Sequence, residues 1–259
     1  MLRETTRTIG VAAILCVVCS VLVSATAVGL RPIQIENRKR DKQKNVLIVA
    51  GIIESGQRPS SDEIAELYKT RVRPRIIDLE TGRDAPPDEV DAETYDQDKA
   101  LRDPNLSTSM LPESGSEASD VQKAARAAGI REREKYAFVF EVLSEQGQTD
   151  QYVLPISGKG LWSTLKGFLA VDSDLKTIRG ITFYSHAETP GLGGEIDSSR
   201  WQALWKDKLV FDDDQHQIDG LAGATLTARG VSGLVRFWLG DGGFGPFLKQ
   251  LQSSNGGDR

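Results

Sequence analysis

Residues 9–30 (IGVAAILCVVCSVLVSATAVGL) form an unbroken run of 22 residues without a charge, and no other feature limits the chain so sharply. As a helix rising 1.5 Å per residue the run is roughly 33 Å long, enough to cross a hydrocarbon core. Two readings fit. In one the run is a permanent anchor. In the other it is a cleaved signal peptide, with Arg3 and Arg7 as its basic start and Ala25-x-Ala27 as its small-residue site. The run outlasts a usual signal core and continues past Ala27, which favours the anchor. Two basic residues precede it and six follow (Arg31, Arg38, Lys39, Arg40, Lys42, Lys44), so charge counting alone puts the rest of the chain in the cytoplasm. A signal-anchor with its N-terminus inside would export it, and the residues leave both orientations open.

Beyond the run the chain is acidic. Eight of the 32 Lys and Arg residues and three of the 37 Asp and Glu residues precede Val46, leaving 24 against 34. That balance argues against a nucleic-acid partner. Both cysteines, Cys16 and Cys19, lie inside the apolar run, so the later part has no disulfide framework and no cysteine-based metal site. On an apolar helix they read as small residues facing lipid or another helix; a metal shared with a partner's cysteines is the alternative.

Residues 45–53 are apolar and continue the helix or form a buried strand. Ser60 and Glu63 have the spacing of a capping box, and Ile64, Leu67, Tyr68 and Val72 follow at helical intervals up to Pro74. Residues 75–79 read as a strand and Thr81-Gly82 as a turn. Residues 84–119, rich in Pro, Ser, Asp and Glu, read as an irregular surface connection, and 121–128 as a helix ending at Gly129. Residues 136–143, 151–156, 167–171 and 178–184 are β-rich, the last two joined by a hairpin at Asp172-Ser173-Asp174. Residues 198–206 read as a helix with Trp201, Leu204 and Trp205 on one stripe. Val231, Leu234, Val235, Trp238 and Leu239 make an amphipathic helix ended by Gly240. The expected fold class is α+β, an antiparallel sheet flanked by helices behind one N-terminal transmembrane helix. Three stretches are expected: 1–30, tail and anchor; 31–130, an N-terminal soluble region; and 131–259, the domain that carries the site.

The candidate chemistry sits just before the last of these helices, in Asp219-Gly220-Leu221-Ala222-Gly223-Ala224-Thr225-Leu226-Thr227. Gly223 and Ala224 let backbone N–H groups approach a bulky anion, and the helix start aims its unpaired N–H groups at the same place. Such a place holds a phosphate, and the hydroxyl of Thr225 or Thr227 can form an ester with it. The plain structural alternative is a tight turn with Thr227 as helix cap. Glu188, Thr189, Gly191 and Leu192 follow a strand and either pack along a cofactor or merely connect elements. His186 reads as a hydrogen-bonded structural histidine, the tryptophans mostly as core, and Asp212-Asp213-Asp214 as a solvated acidic surface. No G-x-G-x-x-G opens a helix after a strand, so no NADH site is expected.

The 219–227 segment resembles the flavin-attachment motif of the FMN-binding domain family, found in NqrC, a component of the Na⁺-translocating NADH:quinone reductase, and in the G-type component of the related Rnf complex. Gly158-Lys159-Gly160-Leu161-Trp162, the run from His186 to Gly193, and Ile77-Asp78-Leu79-x-Thr81-Gly82 resemble the NqrC branch. The resemblance implies FMN held covalently by a phosphoester to Thr225, with Gly223, Ala224, Leu226 and Thr227 of the motif beside it; Glu188, Thr189, Gly191 and Leu192 are then read as packing along the ring or ribityl chain, and Lys206 as placing positive charge near the flavin. It implies an electron relay with no catalytic residue and no metal of its own, within a complex that oxidises NADH, reduces quinone and exports Na⁺. The partners it implies are the other subunits, the membrane, and a flavin transferase that uses FAD. Because that transferase works outside the cytoplasm, the resemblance places residues 31–259 on the periplasmic side of the inner membrane. The family usually has Ser or Thr where this chain has Ala222. An Rnf-type flavoprotein, and an anchored binding or assembly protein without flavin, are the alternatives.

Overall fold

A computed structural model describes residues 2–54, 56–91, 94–210 and 221–256. The chain divides into two units, Met1–Lys42 and Gln43–Arg259. Helix α1 (Leu2–Val49) begins in the first and runs without interruption through Pro32. Its apolar side chains stand open, Ile9, Ile14, Leu22 and Val28 among them, and among the described residues it is the one helix long and apolar enough to cross a membrane. The helical alternative for residues 45–53 is the one adopted, as far as Val49, with Val46 and Leu47 buried.

In the second unit, Ser60 caps helix α2 (Ser61–Arg71) by accepting a hydrogen bond from the Glu63 N–H at 3.2 Å. Strand β1 (Val72–Asp78) follows directly. The sheet continues with β4 (Tyr136–Leu143), β5 (Thr149–Lys159), β6 (Thr164–Asp172) and β7 (Ile178–Ser185), antiparallel throughout in the order β1-β4-β5-β6-β7. β1 is an edge, which is why Pro74 sits inside it without breaking a ladder on both sides. Between β1 and β4, the stretch expected to be irregular contains a short helix α3 (Gln97–Ala100) and strand β2 (Ser107–Ser109), which pairs with β3 (Glu132–Glu134). Helix α4 (Asp120–Ala127) starts with a complete capping box between Ser119 and Gln122.

One sheet face is covered by the end of α1 and by α2, through Val46, Leu47, Ile64, Val153 and Phe168. The other carries the larger core, including Ala137, Leu154, Leu169 and Ile181 from the strands. Over it lie helix α6 (Thr225–Leu239) and helix α7 (Gly245–Gly256). All five periodic residues of α6 are buried as expected, and the Trp238 indole N–H donates to the Ser157 carbonyl at 2.6 Å. Three glycines along the α6 contact permit this closeness. A Cβ on Gly158 would stand 2.6 Å from Leu234 Cβ, one on Gly230 2.4 Å from the Lys159 carbonyl oxygen, and one on Gly233 2.9 Å from that of Ala127. The helix expected over 198–206 is instead a four-residue α5 (Ser199–Gln202) continued by a 3₁₀ turn (Ala203–Trp205). Leu204 is open to solvent while Trp201 and Trp205 stay buried.

Candidate functional site

Three chain segments meet where α6 begins. The first is its own approach: Ala224 N–H donates to the Leu221 carbonyl at 3.0 Å, and Gly223 takes φ +76°, a left-handed turn open to glycine at little cost. Thr225 is the first helical residue and is exposed; Leu226 is exposed too; Thr227 is fully buried. Residues two apart on an α-helix point roughly 200° apart, which is why one threonine faces out and the other in. Among the described residues no side chain caps this helix start, so its first N–H groups and its positive dipole end face outward at Thr225.

The second segment is the β5–β6 hairpin tip, and the third is the chain leaving β7. Glu188 joins all three. Its Oε1 accepts hydrogen bonds from the N–H groups of Trp162 (3.0 Å) and Ser163 (3.1 Å) and from the Ser163 hydroxyl (3.2 Å). Its Oε2 accepts from the Leu161 N–H (3.1 Å) and the Thr227 hydroxyl (2.7 Å). Burial opposes ionisation of this carboxyl, but the Thr227 hydroxyl and the three backbone donors outweigh it and hold Glu188 below the usual carboxylate range. Behind it, His186 Nδ1 accepts the Glu188 N–H at 3.2 Å, so the ring proton lies on Nε2, which is 2.8 Å from Asp197 Oδ2. Ser163 Oγ also accepts the Ala187 N–H at 2.8 Å.

The loop beyond Glu188 folds against α6. The Thr189 carbonyl accepts from the N–H groups of Leu192 and Gly194, Gly191 takes φ +73°, and a 3₁₀ turn runs over Gly193–Asp197. A Cβ on Gly193 would stand 2.6 Å from Thr227 Oγ1, and one on Gly223 3.2 Å from Leu192 Cδ2. Gly223, Ala224, Leu226, Thr227, Glu188 and Leu192 are thus brought together with Thr225, while Thr189 and Gly191 shape the same loop. Lys206 lies outside this cluster, exposed after the Ala203–Trp205 turn. Asp212, Asp213, Asp214, His216, Asp219 and Gly220 lie outside the described residues.

Four large apolar side chains of these segments are open to solvent: Trp162 (71% exposed), Leu226 (57%), Leu192 (44%) and Leu161 (40%). A helix start without a capping side chain among the described residues, with an outward hydroxyl and bordered by exposed apolar side chains, fits a ligand with a phosphate at one end and a flat ring at the other. Among the described residues no group of His, Cys, Asp and Glu is arranged to hold a metal.

The chain is 42% identical over 262 residues to the C-type component (NqrC) of the Na⁺-translocating NADH-quinone reductase of Yersinia pestis, covering 95% of this chain and 92% of that one. To its counterpart in Pseudomonas aeruginosa it is 44% identical over 269 residues, covering 96% and 97%. This chain belongs to the NqrC family. The FMN-binding domain family matches residues 160–240, a segment that starts at the hairpin tip bound by Glu188 and ends at the C-cap of α6, so it contains the whole cluster. The crystal structure of Shewanella oneidensis NqrC superposes with a TM-score of 0.69 at 33% identity, covering 84% of this chain and 99% of that one. That of the NqrC counterpart from Parabacteroides distasonis, 24% identical with a TM-score of 0.59, shares the fold and covers 85% of this chain and 96% of that one.

Sequence reasoning passed over Ser163, and quoted Gly160 and Gly193 within motifs without giving either a role of its own. Ser163 donates to Glu188 twice, and the two glycines leave the carboxylate room to reach its donors; a Cβ on Gly160 would stand 2.6 Å from Glu188 Oε1. Trp162 also departs from the tryptophan-as-core reading. A hairpin tip with a tryptophan between Leu and Ser was the available signal.

Proposed function

We propose that Thr225 carries FMN through a phosphoester and that the chain relays single electrons within the Na⁺-translocating NADH:quinone reductase. The observation that carries this reading is the contrast between the two threonines: Thr225 is exposed at a helix start whose N-cap residue, Ala224, offers no capping side chain, while Thr227 is buried and bonded to Glu188. Attachment is a phosphoryl transfer from FAD on a dedicated transferase. The Thr225 oxygen attacks the FMN-side phosphorus, the P–O bond to the AMP phosphate breaks, AMP departs with the electron pair, and the hydroxyl proton passes to solvent. The phosphodiester keeps one negative charge, which the first-turn N–H groups of α6 stabilise. Gly223 and Ala224 would allow those groups close approach, and the exposed Leu226, Leu192, Leu161 and Trp162 would supply the apolar surface for the ring. Once bound, FMN supplies one-electron redox chemistry at a carbon–nitrogen ring; the protein supplies attachment, orientation and surroundings.

Helix α1 anchors the chain, and residues 31–259 stand on the periplasmic side, where the transferase acts. The NqrC relatives favour this over an Rnf-type role. The test is direct. Full-length chain co-produced with the transferase gives a band fluorescent under ultraviolet light on a denaturing gel, with the mass of one added FMN. Thr225→Val gives neither. A colourless wild-type band under those conditions favours the anchored protein without flavin. Labelling of a cysteine engineered after Ser60 by an impermeant reagent on intact cells reads the topology, and protection would refute a periplasmic domain.

A further inference from the structure

Thr225 and Thr227 are chemically equivalent acceptors two residues apart on one helical turn, and nothing in the motif alone makes one of them inert. We propose that Glu188 is the positioning residue that makes Thr225 the acceptor and withholds Thr227, an inference that rests on the covalent-flavin reading above. Glu188 touches neither the acceptor nor the cofactor in this role; it acts through Thr227.

Four observations support it. The Thr227 hydroxyl is engaged by Glu188 Oε2 at 2.7 Å, the shortest of the contacts that carboxylate makes in the cluster. Glu188 cannot follow a moving helix, because four further donors from Leu161, Trp162 and Ser163 fix both its oxygens to the hairpin. Its backbone is pinned in turn by His186, itself bonded to Asp197. Gly193 closes the space on the remaining side, leaving no room for a Cβ beside Thr227 Oγ1 and Glu188 Oε2. One bond from an immobile carboxylate to the third residue of α6 therefore sets the rotation of its first turn, and with it the outward direction of Thr225.

The test uses purified full-length chain in detergent with purified transferase and FAD, and reads initial rate by intact mass and position by peptide mass. Thr225→Ala is expected to stay unlabelled, although Thr227 is intact. Thr227→Val, which keeps the volume and leaves the four hairpin bonds to Glu188 in place, is expected to lower the kcat of labelling at Thr225 about tenfold or more at unchanged KM for the chain. Thr227→Ser, which restores the hydroxyl, is expected to recover most of that rate. Glu188→Gln, which turns one acceptor oxygen into a donor, is expected to lose at least as much as Thr227→Val. Label on Thr227 in the Thr225→Ala protein would overturn the proposal, as would full-rate labelling of Thr227→Val. Wild-type chain that takes no label would overturn the covalent-flavin reading itself, so the two failures are distinguishable.

Discussion

Glu188 and Glu134 are both nearly excluded from water, at 5% and 3% exposure, yet their carboxyls are driven in opposite directions. Burial pushes Glu134 upward, and its own backbone N–H, the Gln97 side-chain amide and the neighbouring Arg133 do not offset it. Arg133 has commitments elsewhere, donating to the Gly242 carbonyl at 2.7 Å. At Glu188 burial pushes the same way but loses to five donors that converge on it. The difference teaches that a small exposed area alone does not decide whether a carboxylate is ionised; the depth of protein around it and the supply of N–H and O–H groups decide together. Glu134 sits beside the α3 insertion, where few donors converge, and Glu188 where three segments turn their backbone toward one point.

That contrast can be broken by removing the donors' target. Glu188→Ala leaves the buried Thr227 hydroxyl and three half-buried backbone N–H groups without their acceptor, and is expected to lower stability by about 3 kcal/mol, read from the urea midpoint. A loss under about 1 kcal/mol would mean the cluster is not holding the three segments together. Gly193→Ala attacks the same place sterically and is expected to cost about 1–3 kcal/mol, with the Thr227–Glu188 bond displaced. The two carboxyls also predict opposite pH dependences. Glu188, held below its ordinary 4.5, contributes stability that is complete above that value and is lost as pH falls through its folded-state pKa. Glu134, held above 4.5, does the reverse: its contribution is complete below 4.5 and fades as pH rises through the folded-state pKa. Glu134→Gln is therefore expected to gain about 1 kcal/mol on wild type at about pH 8 and nothing at about pH 4; equal effects at both pH values would sink the assignment. The smallest effect belongs to Trp162→Ala, expected within about 0.5 kcal/mol because the ring is mostly in solvent before any ligand covers it.

Much of this architecture is legible in the residues. β4 is readable residue for residue, β7 to within one, and α6 from its i, i+3, i+4, i+7, i+8 pattern, because an element between a wet side and a dry side writes its period into the sequence. β5 reads as six residues and spans eleven, since its ends pair as edges of a long hairpin whose Ser157, Gly158 and Lys159 carry no apolar signal. α7 escapes the reading, although Phe244, Phe247, Leu248 and Leu251 have helical spacing; the Gly and Pro around them look like punctuation. At the site, the exposed Thr225 follows from its motif, whereas Glu188 as the joint of three segments does not. Its donors come from 25 to 39 residues away in sequence, and such convergence is a property of the folded topology.

The segment that the FMN-binding family recognises, 160–240, begins one residue after β5 ends. β5 is the strand that pairs with every residue of β6, from its own Gln151 onward, and the floor on which α6 lies, through Gly158 and the Trp238–Ser157 bond. An excised 160–240 fragment would keep every group proposed to touch the flavin and lose the surface that aligns them. What evolution repeats as a word in many chains is here only half of a clause, and grafting this cofactor port onto another scaffold would require carrying β5 along with it.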